Sequence, residues 1–248
     1  EDIIHKTFKI LDRSCDSEYG GFGRAPKFPM ANYLMFLLRY HAYTDSDRAL
    51  EIVEESLKGM YRGGIFDHIG GGFCRYSTDR RWLVPHFEKM LYDNALLAIS
   101  YLECYLITKD KFYAKVARRI FDYIMRDMSS SEGGFYTAED ADSEGVEGKF
   151  YVFTPEEIEK ILGVEDARRF YQRGSFEGKS ILNSLTSEAV LEPDGDMIEL
   201  RQRVFAEREK RIRPFRDEKI LVGWNGLMIA ALAMGARILG DDKLLTRA

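Results

Sequence analysis

The sequence contains little cysteine, and its cysteines are far apart. Cys15, Cys74 and Cys104 are the only three among 248 residues, and no two of them form a CxxC pair. This spacing excludes a zinc knuckle and a thioredoxin-type dithiol built within the chain. An odd number of scattered thiols is typical of a reducing compartment. We therefore predict a cytoplasmic protein with no metal and no organic cofactor.

Long apolar runs and nucleotide-binding motifs are missing as well. We expect no segment long enough to span a bilayer, and residues 1–10 lack a signal-peptide pattern. The sequence has no Walker motif, no GxGxxG after a strand and no HExxH. The net charge is -5, with basic residues dispersed among acidic ones, which argues against a nucleic-acid surface. Neither a membrane nor a nucleic acid is therefore expected as a partner.

The residues that are abundant predict helices. The chain is 45% hydrophobic and 31% charged, which is sufficient for a sizeable core. Apolar residues at helical spacing predict helices at about 2–17, 32–43, 48–60, 85–108, 110–128, 155–162, 197–211 and 227–239. The segments 32–43 and 227–239 are apolar nearly all round and should lie deep in the fold, whereas 197–211 is highly charged and should be exposed.

A repeat organises these helices. An amphipathic helix ends in Gly-Gly plus an aromatic residue at Gly20, Gly63 and Gly133, and a glycine-rich connection follows. Twice this connection leads into a more apolar helix, which is typical of a helical-hairpin array. The apolar helices would form an inner layer whose starting loops gather at one mouth. The predicted class is all-α with small β-hairpin insertions, one of them formed by 135–137 and 149–153.

The stretch 63–98 is the best candidate for a site. Pro85 suits the first turn of a helix and would place His86 near its start. Polar side chains on an inner helix must be paired or face a cavity, because burying them alone is unfavourable. One interpretation is a sugar-sized pocket with His86 as acid or base; the other is a structural histidine. The predicted helix carries further polar residues at i, i+3, i+4 and i+7 spacings: Glu88, Lys89, Tyr92 and Asp93.

Charged residues before this helix offer weaker candidates. Asp67 and His68 stand between glycines and form either a catalytic pair or a turn held by an Asx hydrogen bond. Arg24 could orient a carboxylate or phosphate, although pairing on the surface is the default for such a residue. Arg75 is the stronger candidate for binding a substrate, because it lies in the stretch 63–98.

Aromatic and acidic residues complete the set of candidates. Trp82 and Trp224 are either sugar-stacking platforms or core anchors, and Asn225 next to Trp224 is a candidate polar contact. The acidic segment 139–147 begins with Glu139 and Asp140. It supplies either one carboxylate of a glycoside hydrolase or a solvated turn.

Five segments of the chain resemble one protein family. They are spread over nearly the whole sequence, and PHFEKMLYDNA is the most specific motif among them. The chain is similar in these segments to the spermatogenesis-associated protein 20 family, including bacterial YyaL-type proteins. The matching segments are GGFGRAPKFP at 20–29, DHIGGGFCRYSTDRRWLVPHFEKMLYDNA at 67–95, residues 133–153, FEGKSIL at 176–182 and DEKILVGWNG at 217–226.

The resemblance implies a thioredoxin-like domain followed by an (α/α)6 toroid of the six-hairpin glycosidase type, similar to N-acylglucosamine 2-epimerase. The thioredoxin-like domain is expected to be absent here, because CxxC is missing. A toroid needs twelve helices and the pattern predicts fewer, so 1–248 is expected to be part of one toroid domain. The enzymatic class that the resemblance implies is a sugar epimerase or isomerase. The placement of the residues in this sequence predicts that His86 transfers the proton while Arg75 and Glu88 place the sugar. The alternatives are a glycoside hydrolase and a non-catalytic module that binds a sugar or a protein and serves a thioredoxin-like domain.

Overall fold

A computed structural model describes residues 2–168, 176–185 and 195–248. Within these ranges the chain is mainly helical. A weak pattern predicts a loop at 174–195; of that segment the structure describes 176–185, which contains no helix, and residue 195, at which a helix begins. The helices are α1 (Asp2–Ser14), α2 (Ala31–Thr44), α3 (Asp47–Arg62), α4 (Leu91–Thr108), α5 (Lys111–Asp127), α6 (Pro155–Leu162), α7 (Val164–Ala167), α8 (Gly195–Arg208), α9 (Val222–Leu239) and α10 (Asp242–Arg247).

In the described part of the chain, seven strands of two residues each connect the helices. They form two hairpins, β1–β2 and β5–β6, and a three-stranded antiparallel sheet in the order β3-β4-β7. The strands are β1 (Tyr76–Ser77), β2 (Pro85–His86), β3 (Lys89–Met90), β4 (Ala138–Glu139), β5 (Asp142–Ser143), β6 (Val146–Glu147) and β7 (Arg216–Asp217).

The predicted two-layer arrangement of helices is confirmed. α4 packs against α2 on one side and against α9 on the other, so these three apolar helices form one layer. The amphipathic helices α3, α5 and α10 each pack on an apolar partner, which is α2, α4 and α9 respectively. Each outer helix follows its inner partner in the chain, as expected for antiparallel hairpins.

Helix starts follow the capping rules. Asp110 accepts a hydrogen bond from the amide of Phe112 at the start of α5. Thr154 and Glu157 form a capping box at α6. Asp45 and Ser46 both suit the N-cap of α3 by residue type; Ser46 caps that helix, because Asp45 adopts a left-handed conformation at the end of α2.

The predicted helix start at Pro85 is wrong, because α4 begins only at Leu91. The preceding residues are extended and satisfy their backbone groups by pairing with 75–78: Arg75 donates its amide to the carbonyl of Glu88 at 2.8 Å. The hairpin predicted from 135–137 and 149–153 is also wrong. The acidic segment instead supplies β4 to the three-stranded sheet and forms the separate hairpin β5–β6.

Two further expectations need correction. α8 is not wholly exposed, because Arg208 at its end is buried. The expectation that no apolar run could span a bilayer is also wrong for α9. Among the described residues, this helix is long and apolar enough to do so by length and composition alone. That is weak evidence for a membrane, since core helices pass the same test, and α9 packs on α4, α5 and α10.

Candidate functional site

The starts of the inner helices α4 and α9 lie at one mouth of the helical array. β3 leads directly into α4, and β7 leads through a short turn into α9. Both strands pair with β4, which holds the two helix starts together. This confirms that the loops before these inner helices gather at one end, which is where binding groups are expected in a helical toroid.

Two asparagines at corresponding positions of α4 and α9 hydrogen-bond to the backbone of the glycine-rich connections. Asn94 accepts the amide of Phe73 at 2.8 Å and donates to the carbonyl of the same residue at 3.0 Å. Asn225 accepts the amide of Phe135 at 2.7 Å and donates to the carbonyl of Phe135 at 3.0 Å. Both amides are buried. The prediction that Asn225 contacts a substrate is therefore wrong in this structure, because its polar atoms are occupied by backbone.

A buried ion triad lies beneath the mouth. Asp67 accepts from Lys89 at 2.9 Å and from Arg208 at 2.8 and 3.0 Å, and it also accepts the amides of Ile69 and Gly70. Burial alone would raise the pKa of Asp67, but Arg208 and Lys89 hold it well below its usual range. Side-chain exposure is 6% for Asp67, 1% for Lys89 and 3% for Arg208, so the triad is part of the scaffold.

The same arrangement occurs one repeat earlier. Asp16 accepts from Lys27 at 2.7 Å and from two nitrogens of Arg80 at 2.8 and 2.7 Å. Each aspartate stands six residues before a buried phenylalanine, and each lysine stands just before an inner helix. For Asp67 the predicted Asx turn is confirmed by its hydrogen bond from the amide of Ile69. The repetition favours a structural role for Asp67 and Lys89 over catalysis or substrate binding.

Two other predicted site residues are core residues. His68 is buried, hydrogen-bonds the carbonyl of Gly63 through Nε2, and lies edge-on to Tyr61. Burial and the nearby Arg119 lower the pKa of His68 to about 3, so the ring stays neutral. Trp82 is 0% exposed and donates its indole N–H to the carbonyl of Tyr19. Its predicted sugar-stacking role is wrong here, because no ring face is open.

The thiol of Cys74 is equally inaccessible. Cys74 is buried, and burial raises the pKa of its thiol to about 12. A thiolate is the nucleophilic form of cysteine, so this side chain is unreactive at neutral pH.

A partly exposed polar cluster lies at the mouth, on the extended segment before α4. Nη1 of Arg75 lies 3.1 Å from a carboxylate oxygen of Glu88, and Nε2 of His86 lies 3.7 Å from the same oxygen. On its other side His86 places Nδ1 2.7 Å from the carboxylate of Glu147, and its ring stacks on Tyr76. These side chains are 25–44% exposed, which leaves them accessible to a ligand.

The first turn of α4 extends this cluster with an aromatic side chain and a half-buried acid. Burial raises the pKa of Tyr92, and Arg75 acts in the opposite direction. The ring of Tyr92 meets the ring of Trp224 on α9 edge-on, with centroids 4.8 Å apart. Asp93 is next to Tyr92, and its Oδ2 is buried without a hydrogen-bond partner among the described residues. Burial raises the pKa of Asp93 to about 7, against the opposite effects of Arg75 and the Tyr92 hydroxyl.

We name the polar cluster by its members: Arg75, His86, Glu88, Tyr92, Asp93, Glu147 and Trp224. It contains six of the residues singled out from the sequence, but not by the predicted helical spacing. His86 and Glu88 reach it from an extended segment, so the expected i, i+3 and i+4 relations involving them are wrong. A carboxyl whose pKa is raised toward neutrality by burial, with an arginine near it, is typical of acid-base sites.

The other predicted contacts lie outside the polar cluster. Glu139 is buried, accepts the hydroxyl proton of Tyr123 at 2.7 Å and pairs with Arg213 at 3.1 Å. Asp140 is exposed and accepts the amide of Ala141, as in a solvated turn. Arg24 is exposed in the loop before α2.

Comparison with known proteins places this geometry in a family. No protein-family model matches the chain. Human spermatogenesis-associated protein 20 is 38% identical over 99% of the chain, and an uncharacterised protein of Caenorhabditis elegans is 34% identical over all of it. The chain belongs to the spermatogenesis-associated protein 20 family. It spans 37% of the human member and 40% of the nematode protein.

Solved structures identify the fold of this family segment. A sugar epimerase from a ruminal bacterium aligns with 100% of the chain and 84% of its own length, with TM-score 0.51 and 13% identity. The cellobiose 2-epimerase of Spirochaeta thermophila DSM 6192 aligns with 97% of the chain and 65% of its own length, with TM-score 0.51 and 15% identity. The expected class, an (α/α)6 toroid of the six-hairpin glycosidase type, is confirmed.

Proposed function

We propose that the polar cluster binds a sugar and moves a proton at the carbon next to its carbonyl, as a sugar epimerase or isomerase does. The observation that carries the proposal is the partly exposed series of charged pairs from Glu147 through His86 and Glu88 to Arg75, with Tyr92 and Asp93 beside Arg75 at the start of α4. The solved proteins that share the fold include sugar epimerases by name, which supports a sugar as the ligand.

The chemistry assigns one role to each group. Nε2 of neutral His86 takes the proton from the carbon next to the carbonyl of an open-chain sugar, and the C–H electron pair moves into an enediolate. Arg75 stabilises the negative charge that develops on oxygen, and protonated Asp93 donates a hydrogen bond or its proton to that oxygen. If the enediolate turns its other face toward His86, return of the proton to that carbon gives the epimer; delivery of the proton to the adjacent carbon gives the isomer.

The aromatic groups explain why a sugar suits the site. Tyr92 and Trp224 meet edge-on beside the acid-base groups, and Trp224 remains partly exposed. Aromatic rings combine apolar faces with polar edges and contact the C–H faces of sugars favourably. Glu88 is placed to accept sugar hydroxyl protons while it keeps its ion pair with Arg75.

Binding is the first requirement and is tested by thermal shift against mono- and disaccharides and their phosphates. A ligand at 100 times its Kd stabilises the native state by about 2.7 kcal/mol, which is easily resolved. We expect a stabilising sugar whose effect is lost in Arg75→Ala. Arg39→Ala is the matched control, because Arg39 forms a comparable partly exposed pair with Glu103 on the helices. Loss of the shift in both variants would contradict a role specific to the polar cluster.

A glycoside hydrolase is the second candidate, favoured by two of the three carboxyl groups of the same cluster. Asp93, with its raised pKa, has the property of a general acid, and Glu88 supplies a second carboxylate. This alternative predicts release of reducing sugar from aryl glycosides, abolished by both Asp93→Asn and Glu88→Gln. Interconversion of free sugars without glycoside cleavage would reject it.

A further inference from the structure

The hairpin β5–β6 carries one carboxylate against the ring of His86. The turn residues Glu144 and Gly145 both have positive φ, at 53° and 74°, as two-residue hairpin turns require. The base of the hairpin is closed by the Gly148 amide on the carbonyl of Ala141 at 3.0 Å. Ser143 ties it to the carbonyl of Ile212 at 2.6 Å. The hairpin is therefore anchored on both sides.

Close packing fixes the distance between this hairpin and the segment of His86. A Cβ added at Gly148 would lie 2.5 Å from the ring of Phe87, so the backbone of the hairpin touches the residue next to His86. The same carboxylate oxygen of Glu147 that meets Nδ1 of His86 at 2.7 Å also accepts the amide of Phe87 at 3.4 Å. Glu147 thus contacts both the ring and the backbone of this segment.

We infer that Glu147 is the positioning residue that sets the tautomer of His86. This inference rests on the proposed function for its catalytic meaning, but its geometry is independent of any substrate. A carboxylate only accepts, so Nδ1 carries the hydrogen, and the lone pair of neutral His86 lies on Nε2. Stacking on Tyr76 prevents rotation of the ring, with centroids 5.0 Å apart and an interplanar angle of 24°.

The consequence is that Nε2 is the nitrogen that exchanges protons. It points toward Glu88, 3.7 Å away, and so toward Arg75 and the rest of the polar cluster. His86 therefore directs Nε2 toward the other members of the polar cluster, while Glu147 lies on the Nδ1 side of the ring. Such a carboxylate holds the ring in one orientation and fixes which nitrogen carries the lone pair.

The tautomer is measured directly by ¹⁵N NMR of the imidazole rings in the 248-residue chain. Only four histidines are present, and the spectrum of His86→Gln assigns the signals of His86. At a pH where the ring is neutral, we expect protonated Nδ1 and unprotonated Nε2. Glu147→Ala should release this preference, whereas Glu147→Gln should keep it, because the amide oxygen still accepts from Nδ1.

Glu144→Gln is the matched control. Glu144 is in the same hairpin and pairs with Lys149 at 2.7 Å, so its loss removes a charge without touching His86. A hydrogen on Nε2 in the parent protein, or an unchanged tautomer in Glu147→Ala, would overturn the inference. Once a turned-over sugar is known, Glu147→Ala should lower kcat by about tenfold or more with little change in KM. A fixed Nδ1–H without any sugar turnover would refute the proposed function and leave the positioning intact.

Discussion

Replacing Asp67 with asparagine should destabilise the chain strongly. The carboxylate neutralises Lys89 and Arg208, whose side chains are 1% and 3% exposed. Asp67→Asn keeps the shape of the side chain but leaves two buried cations without their anion. Breaking a buried ion pair by removing one partner costs about 3 to 5 kcal/mol in unfolding free energy, and we expect a value in this range.

The earlier repeat supplies an internal comparison. Asp16 also binds a fully buried lysine, Lys27, but its arginine partner, Arg80, is 45% exposed. In Asp16→Asn the guanidinium of Arg80 can turn to water, so only one cation stays buried. We therefore expect a smaller loss than in Asp67→Asn, near or below the lower end of the range of about 3 to 5 kcal/mol.

Urea unfolding at pH 7, followed by helical circular dichroism, measures both losses. The m-value must stay constant for the comparison to hold. The pH dependence gives a second test. Because the pKa of Asp67 is lowered in the folded state, its stabilisation is present above the unfolded pKa and is lost as pH falls toward the folded value. In Asp67→Asn the unfolding free energy should fall less steeply as the pH is lowered through this acidic range. Equal losses in the two asparagine variants, or a loss below about 1 kcal/mol in Asp67→Asn, would refute the reasoning.

Three further predictions follow from the same structure. Asn94→Ala and Asn225→Ala should each lower the unfolding free energy by about 2 to 3 kcal/mol in urea titrations, since each leaves a buried amide and a buried carbonyl of the preceding connection without a hydrogen-bond partner. Unequal losses would contradict the equivalence of the two asparagines. Gly148→Ala should unfold at a clearly lower temperature than Gly145→Ala, because both have positive φ but only the Cβ at 148 meets a ring. The pKa of Asp93 is raised in the folded state, so its stabilisation is lost as pH rises toward about 7. Asp93→Asn should therefore be more stable than the parent at pH 8, by about 1 to 3 kcal/mol, and nearly equal at pH 4.

The helical layers could be predicted from the sequence because their signals are local. Segments such as Ala31–Thr44 and Val222–Leu239 are apolar on every face, and Thr154 with Glu157 marks a helix start within four residues. The paired strands were harder, since each has two residues and depends on partners far along the chain. β4, for example, pairs with strands on both sides of it in sequence.

The candidate site was predicted in composition but not in geometry. His86 and Glu88 were assigned to a helix because Pro85 fits a first turn, yet cross-strand pairing with 75–78 prevailed. Glu147 and Arg208 were missed as partners, because their contacts lie 61 and 141 residues away along the chain. The sequence does contain a pattern that predicts the buried ion pairs. An aspartate stands six residues before the phenylalanine of a Gly-Phe pair, and a lysine follows just before an apolar helix, at both Asp16 and Asp67.

The most direct measurement of the central claim is exchange of the hydrogen next to the carbonyl of a sugar in D₂O, followed by ¹H NMR. Glucose, mannose, N-acetylglucosamine, N-acetylmannosamine and cellobiose are incubated with this chain, with a longer protein containing it, and with the His86→Gln variant of each. We predict deuterium at C2 of at least one sugar, with the rate reduced by about 100-fold or more in His86→Gln. Exchange at the same rate in both forms, or no exchange with a sugar that binds at the polar cluster, would contradict the account.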